Sequence, residues 1–326
     1  MKVTCVTSVT YVKPVNVRQC AHNARIFLAL SFAVLLGLTL NPVASAQNAP
    51  PPPPAKSLAA LAPTLQGNPT NVEFVRPYGE VRSAVVSVTS NYDPKRPVPI
   101  LFGFGGWHDS PENYRNYSRF SNTGAAQEAI VVYSRGRENA WEGAPYSRTT
   151  RGGDVDFVRQ IVGELQKHYN VDMNRIYAVG MSNGGGMAAN LACQAPDLMA
   201  GVVGVSGAYY NPVNEGCAPG SVPTFLVHGS EDKLTHYQGG SLHDAPYLPV
   251  MNVINSRAQA NGCAPQPVQS ELPGGVTQFG FPGCKDEAVH WRVNGQDHTW
   301  FVSPDIANEA WRFLARQNKT LPGPAE

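Results

Sequence analysis

Short runs of apolar, often β-branched residues alternate with longer amphipathic stretches from about Asn68 onward. The candidate strands are SAVVSV, VPILFGF, AIVVYS, RIYAVG, GVVGVS, PTFLVHG and VHWRVN. Several are apolar at every position, which is typical of strands buried on both faces. Amphipathic stretches between them predict helices over residues 154–169, 184–193, 248–261 and 303–317. The pattern predicts an α/β fold, with one mostly parallel sheet and helices on both faces.

The first 46 residues have a different pattern. Four basic residues and no acidic residue come before the apolar run 26–40, and Ala44-Ser45-Ala46 follows that run. A basic start, a short apolar middle and small residues before the cleavage point are typical of a secretory signal peptide. A transmembrane helix needs about 20 apolar residues. We therefore expect cleavage after Ala46, export from the cell and no stable membrane anchor. A translation start near Val17 is an alternative to Met1.

Residues 47–67 include the run Pro50 to Pro54, which cannot enter a helix or a central strand. This segment is predicted to be an exposed proline-rich linker, and residues 68–326 to be the folded domain. Removal of residues 1–46 leaves 21 Lys and Arg against 24 Asp and Glu, a net charge of −3 instead of +1. We therefore expect no nucleic-acid partner.

An even number of cysteines remains after the leader: Cys193, Cys217, Cys263 and Cys284. Four cysteines allow three pairings. We expect Cys193–Cys217 and Cys263–Cys284, because each of these pairs joins the end of a predicted helix to a segment that approaches the next strand. No pair has the short spacing of a zinc site, so we expect neither a metal nor another cofactor.

The stretch GMSNGG follows the predicted strand RIYAVG directly and precedes the alanine-rich helix. It places Ser182 between Gly180 and Gly184. A serine at the tip of a sharp strand-to-helix turn needs glycines on both sides, because larger residues there would collide with the neighbouring turn. The pattern predicts a nucleophile elbow. A glycine-rich turn with an incidental N-capping serine would not explain the glycines on both sides.

A serine hydroxyl becomes a good nucleophile when a base accepts its proton and a carboxylate orients that base. In this type of fold the carboxylate and then the histidine follow the serine along the chain. Asp232 follows the strand PTFLVHG and His298 follows VHWRVN, so both are expected at the same edge of the sheet as Ser182. We predict the catalytic triad Ser182, Asp232 and His298. The alternatives are Glu231 for the carboxylate and His236 or His243 for the base, while Asp297 is taken as a decoy and His228 as a packed residue that shapes the Asp232 turn.

Other residues are predicted to bind the substrate. Backbone N–H groups of Asn183 and Phe104 are the predicted donors of an oxyanion hole, with Gly105 as the alternative to Phe104. Aromatic residues on loops at the same edge are predicted to line the pocket, which suits flat apolar groups. The residues chosen are Trp107, Trp141 and Trp300.

From about Glu73 to Gln317 the chain resembles the secreted poly(3-hydroxybutyrate) depolymerase and feruloyl esterase-like family of α/β hydrolases. The motifs that carry the resemblance are LFGFGG, GMSNGGGMAANLAC, HGSED, YQGG, NGC and DHTW. The resemblance implies a single α/β-hydrolase domain and a serine hydrolase that acts on carboxylic esters, with Ser182, Asp232 and His298 at the triad positions. The family usually has His at the position of Phe102 and GHTWPG where this chain has DHTWFV, so the shape of the pocket stays open.

The expected function is that of a secreted serine esterase that cleaves aryl or short-acyl esters through an acyl-enzyme. Its substrate would be a small-molecule or polysaccharide-linked ester. A polyhydroxybutyrate depolymerase and a catalytically silent hydrolase-fold binding protein are the alternatives. The complete triad disfavours the silent protein. The nine residues after Gln317 leave no room for the adsorbing domain that we would expect in a depolymerase.

Overall fold

The computed structural model describes residues 56–319 except Pro212. The predicted signal peptide and the proline run lie outside the described residues. The α-helices are α1 (Leu58–Leu61), α2 (Pro111–Ser118), α3 (Ala125–Glu128), α4 (Gly153–Gln166), α5 (Asn183–Gln194), α6 (Val250–Ala260) and α7 (Ile306–Ala315). The strands are β1 (Thr70–Val75), β2 (Val81–Val88), β3 (Val98–Phe104), β4 (Ile130–Ser134), β5 (Val171–Met181), β6 (Gly201–Val205), β7 (Thr224–Gly229), β8 (Gly240–Leu242), β9 (Ala245–Tyr247), β10 (Val268–Leu272), β11 (Val276–Gly280) and β12 (Ala288–Val293).

One ten-stranded sheet has the order β1-β2-β4-β3-β5-β6-β7-β12-β11-β10, and β8 and β9 form a separate hairpin. The strands from β4 to β12 in this order run parallel to one another. Antiparallel strands extend the sheet at both ends. This architecture confirms the predicted α/β fold with its parallel centre. The pattern did not reveal β1, β10 and β11, whose sequences TNVEFV, VQSEL and VTQFG mix polar with apolar residues.

Helices cover both faces of the sheet. In β3, Ile100 and Phe102 pack with α4 and α5 on one face, while Leu101 packs with α2, α3 and α7 on the other. Helix α6 contacts α5, because Arg257 donates to the carbonyl oxygen of Ala192, and it therefore lies on the first face. Because successive side chains of a strand point to opposite faces, a strand covered on both faces needs apolar residues at consecutive positions. The central strands have that composition.

The folded domain begins before residue 68. Leu58 and Leu65 are buried in the same core as β1 and β2, and the Gly67 N–H donates to the carbonyl oxygen of Val88. The prediction of an exposed linker is therefore wrong for residues 57–67. Leu58, Leu61 and Leu65 recur at helical spacing in SLAALAPTL, and this apolar stripe is the signal that the proline run obscured.

Disulfide bonds join Cys193 to Cys217 and Cys263 to Cys284, which is the predicted pairing. Each ties the end of a helix, α5 or α6, to a loop that leads toward a central strand. The sequence separations of 24 and 21 residues correspond to about 3 kcal/mol of stabilisation each in the chain-entropy model. Each bond therefore strengthens the attachment of a helix to the loop before a central strand.

Candidate active site

Ser182 lies at the tip of the turn from β5 into α5. Its backbone has φ 56° and ψ −120°, a strained conformation for a residue with a side chain. A Cβ atom on Gly180 would collide with the carbonyl group of Gly184, and one on Gly184 would collide with the carbonyl oxygen of Phe104. Both glycines are therefore required by the space around the turn. This geometry is that of a nucleophile elbow.

Ser182 faces a cavity of about 310 Å³ at the carboxyl ends of the parallel strands. Two sets of side chains line it. We call the first the polar side, which consists of Ser182, Thr235 and His298 with Asp232 behind them. We call the second the aromatic side, which consists of Trp107, Tyr146 and His243.

Asp232 and His298 are in direct contact on the polar side. The Nδ1 atom of His298 is 2.8 Å from Oδ2 of Asp232, and Oγ1 of Thr235 lies 3.1 Å from each of these two atoms. The other carboxylate oxygen of Asp232 accepts the backbone N–H groups of Leu234 and Thr235 at 2.9 and 2.7 Å. With Asp232 fixed at both oxygens, the imidazole of His298 is held with Nδ1 toward the carboxylate, which leaves Nε2 on its free side.

Asp232 is almost completely buried, with 2% of its surface exposed. Burial alone would raise its pKa, but hydrogen bonds from His228 and His298 outweigh burial and hold the pKa well below its usual range. The carboxyl group therefore stays ionised at neutral pH. The contact with His228, whose Nε2 lies 3.0 Å from Oδ2, goes beyond the packing role expected from the sequence.

The alternatives to the triad residues occupy different positions. Glu231 is exposed, and Asp232 is the carboxylate bonded to His298. Asp297 links the two loops instead, because its Oδ1 accepts the backbone N–H groups of Lys233 at 2.9 Å and His298 at 2.7 Å. The Lys233 N–H is the main reason that the pKa of Asp297 is lowered to about 2. Asp297 thus links the loop after β7 to the loop after β12 by hydrogen bonds.

The end of β3 and the loop after it carry the predicted oxyanion donor Phe104 and its alternative Gly105. Phe104 is fully buried and does not line the cavity. Gly106 does, and a Cβ atom on Gly106 would lie 3.4 Å from Cβ of Ser182. The Gly106 N–H already donates to Oδ2 of Asp109 at 2.9 Å. The part of this loop that faces the serine therefore lies two residues after Phe104, at Gly106 and Trp107.

Trp107 is the tryptophan of the predicted set that lines the cavity. It is 37% exposed, and its ring stacks on Tyr146 with centroids 4.1 Å apart and an interplanar angle of 17°. The ring of His243 approaches edge-on, at 4.8 Å from Trp107 and 5.0 Å from Tyr146. Three distant loops therefore build one aromatic wall.

Trp141 and Trp300 do not line the cavity, which contradicts their predicted role. Trp141 is 2% exposed; its Nε1–H donates to the carbonyl oxygen of Gly105 at 2.9 Å, and its backbone N–H donates to Oδ1 of Asn183 at 2.7 Å. Trp300 packs in the core against Tyr114 and other rings. Trp141 thus fixes the two segments that flank Ser182, while Trp300 supports the loop that carries His298.

Several cavity residues were not predicted. The position of Thr235 had a local signal in the sequence. An Asp side chain often accepts the backbone N–H groups of the residues two and three positions later, and Asp232 does so with Leu234 and Thr235. The others come from separate loops and had none. They are Tyr146, Leu234, Leu242 and, as a wall residue instead of a base, His243. Among residues 56–319 no group of three His, Cys, Asp or Glu side chains could hold a metal ion, and no helix is long and apolar enough to cross a bilayer.

Comparisons with known proteins agree with this architecture. The phospholipase/carboxylesterase family model matches residues 154–272. Feruloyl esterase D of Neurospora crassa is 26% identical, with 78% of this chain and 88% of that protein covered. A Nocardia uniformis protein named as an esterase is 28% identical over 63% of this chain and 65% of its own length. Feruloyl esterase B of Piromyces equi is 26% identical over 63% and 40%. The chain thus spans less than two thirds of the last two relatives.

Solved structures share the fold at lower identity. An acetyl xylan esterase from Aspergillus awamori superposes with a TM-score of 0.55 at 15% identity, over 76% of this chain and 99% of that chain. A ferulic acid esterase from Anaeromyces mucronatus has a TM-score of 0.50 at 14% identity, over 76% and 90%. The chain therefore has an α/β-hydrolase fold and is similar in sequence to proteins named as feruloyl esterases and esterases.

Proposed function

We propose that the chain is a secreted serine esterase in which Ser182, His298 and Asp232 form the catalytic triad. The observation that carries the proposal is the bond from His298 to a buried, ionised Asp232 in the same cavity as a serine at a nucleophile elbow. Buried carboxylates paired with histidine at a sheet edge are typical of catalytic bases. The names of the relatives favour carboxylic esters as the substrate.

In the proposed reaction, Nε2 of His298 accepts the hydroxyl proton of Ser182 while Oγ attacks the ester carbonyl carbon. The C–O bond to the alcohol then breaks, the proton moves from His298 to the departing alkoxide, and an acyl-serine remains. A water molecule, deprotonated by His298, then attacks the acyl carbon; the bond to Oγ breaks, the acid is released and His298 returns the proton to Ser182. Asp232 stays ionised throughout and stabilises the imidazolium that forms in each half-reaction.

Two backbone N–H groups are proposed to stabilise the oxyanion. The first belongs to Asn183, directly after the nucleophile. The second belongs to Trp107, because the neighbouring Gly106 N–H is already bound to Asp109. A single donor of this type is worth roughly 2.7–4 kcal/mol in the transition state. The Trp141 hydrogen bonds to Gly105 and Asn183 would keep both donors aimed at one point.

The aromatic side supports an aryl or short-acyl ester as the substrate. Stacked Trp107 and Tyr146 present an apolar surface with planar geometry, and Leu234 and Leu242 extend it. Flat rings gain from stacking on such surfaces. A cavity of about 310 Å³ is at the small end of the range of volumes for ligand pockets. It suits one small group at a time, either free or attached to a polysaccharide outside.

The triad is tested with Ser182→Ala. We expect hydrolysis of p-nitrophenyl butyrate to fall by roughly 10⁴- to 10⁶-fold and fluorophosphonate labelling to disappear, while the variant stays folded. Ser241→Ala, an exposed serine on β8, is the matched control and should keep full activity and labelling. Ester hydrolysis by Ser182→Ala at the wild-type rate would refute the mechanism.

The substrate is tested by kinetics on methyl hydroxycinnamates and p-nitrophenyl acetate, with film clearing on polyhydroxybutyrate measured beside them. We expect turnover of the soluble esters and slow or no clearing. Rapid film clearing with feeble turnover of soluble esters would favour the depolymerase. Export is tested separately by sequencing the protein from the culture medium, which should begin at Gln47.

A further inference from the structure

A second buried histidine contacts the carboxylate of Asp232. Nε2 of His228 lies 3.0 Å from Oδ2 of Asp232, the same oxygen that His298 contacts at 2.8 Å. The two imidazoles differ in access, because the His228 side chain is 1% exposed and the His298 side chain is 13% exposed and lines the cavity. One carboxylate oxygen of Asp232 is therefore in contact with two imidazoles. One of them, that of His298, lines the cavity.

The contacts of His228 define its protonation pattern. Nε2 also lies 2.8 Å from the carbonyl oxygen of Thr235. Both neighbours of Nε2 are acceptors, so Nε2 carries a proton. Nδ1 is buried without a hydrogen-bond partner among the described residues. A second proton on Nδ1 would add a buried donor without an acceptor there, so the neutral Nε2–H form fits the site.

We propose that His228 is a positioning residue for the triad: its Nε2–H, bonded to the carbonyl oxygen of Thr235, is shared with Oδ2 of Asp232 and thereby both fixes the carboxylate and withdraws charge from it. The proposal rests on the proposed function of Ser182, His298 and Asp232. A carboxylate that shares its charge with a second donor stabilises the imidazolium of His298 less. His298 then remains an unprotonated base at lower pH than it would beside a carboxylate without this donor.

The other charged or titratable groups near His228 are Arg292, His290, Tyr209 and Tyr237. On β12, Arg292 pairs in register with His228, but its guanidinium contacts Thr277 and Asn294. His290 bonds to Tyr237 and to the carbonyl oxygen of Leu226. The rings of Tyr209 and Tyr237 lie 6.4 and 6.1 Å from the His228 ring. Asp232 is therefore the acidic group that His228 contacts.

The test compares His228→Leu with His228→Gln by measuring kcat/KM for a soluble ester as a function of pH. The leucine variant fills the space without a donor. We expect its kcat to fall about 10- to 100-fold, its KM to stay constant because His228 does not touch substrate, and the acid limb to move up by about 0.5–1 pH unit. The glutamine variant can place an amide N–H near the position of Nε2 and should restore both the rate and the limb.

His290→Leu is the matched control, since it removes another fully buried imidazole that does not contact Asp232. Its acid limb should stay in place. An unchanged limb in His228→Leu, an equal shift in His290→Leu, or a glutamine variant that behaves like the leucine variant would each overturn the proposal.

Nitrogen NMR of the histidine rings shows which ring nitrogen carries the proton. It is measured on the wild-type protein, so it depends neither on the folding of a variant nor on activity. We expect His228 to carry its proton on Nε2 across the pH range of activity. A proton on Nδ1 instead would overturn the proposal. If Ser182→Ala kept its activity, the proposed function would fail, yet the ring spectra would still report whether His228 carries the Nε2 proton that the contact with Asp232 requires.

Discussion

The two sides of the cavity are held together by different forces. On the polar side, Asp232 is buried and receives hydrogen bonds at both oxygens from groups that include Thr235 and His298. On the aromatic side, Trp107 and Tyr146 are partly exposed and are arranged by ring stacking. Hydrogen bonds fix directions and distances closely, whereas stacking tolerates sliding. We therefore expect the polar side, where the proposed chemistry takes place, to be rigid and the aromatic side to adapt more readily to a bound group.

The largest expected loss of activity comes from a substitution on the polar side, at Asp232. Asp232→Asn should keep the shape of the turn but lower kcat by about 10⁴-fold, because an amide stabilises the imidazolium poorly and favours the wrong tautomer of His298. Steady-state kinetics on p-nitrophenyl butyrate checks this. Glu231→Gln is the matched control and should leave kcat nearly unchanged. A large loss of kcat in Glu231→Gln with little loss in Asp232→Asn would assign the role of the carboxylate to Glu231.

A smaller effect is expected where the polar side is supported from behind. Trp141→Phe removes the Nε1–H bond to Gly105 but keeps the backbone bond to Asn183. We expect kcat to fall about 10- to 100-fold with little change in KM, since a small displacement of oxyanion donors impairs the transition state most. Trp311→Phe, a buried tryptophan on α7, controls for loss of packing. Equal losses in both variants would point to a general stability effect.

The aromatic side should respond through binding. Trp107→Ala keeps the backbone N–H but removes the stacked ring, so we expect KM for a hydroxycinnamate ester to rise about 3- to 10-fold with kcat nearly constant. Trp107→Phe should retain most of the affinity. A large loss of kcat in Trp107→Ala with unchanged KM would place this residue with the chemistry, and the distinction between the two sides would fail.

The smallest effect on activity is expected from His290, a buried histidine without a carboxylate partner. Burial lowers its pKa from 6.5 to about 3. Between these values the unfolded chain binds a proton that the folded chain does not, so this group makes the protein less stable as pH falls below about 6.5, by up to about 1.4 kcal/mol per pH unit. Urea unfolding at several pH values should show a flatter dependence for His290→Gln. An identical dependence in both proteins would contradict the assignment.

The fold and the polar side were largely predictable because their signals are local. Central strands buried on both faces need consecutive apolar residues, and that pattern located the parallel centre of the sheet. Strands β1, β10 and β11 at the two ends have mixed composition and were missed. Ser182, Asp232 and His298 each follow a recognisable strand, and parallel strands bring their carboxyl ends to one edge.

The sequence by itself determined the elbow, because a serine with positive φ needs Gly180 and Gly184 within the same turn. Tertiary structure decided what surrounds it. Trp107, Trp141 and Trp300 have the same side chain near the same edge, yet loops from other parts of the chain leave Trp107 exposed and bury the other two. Exposure depends on what packs against a residue, and no local pattern contains that information. The same reason explains why His228 could be placed in β7 from the sequence, whereas its contact with Asp232 required the folded turn.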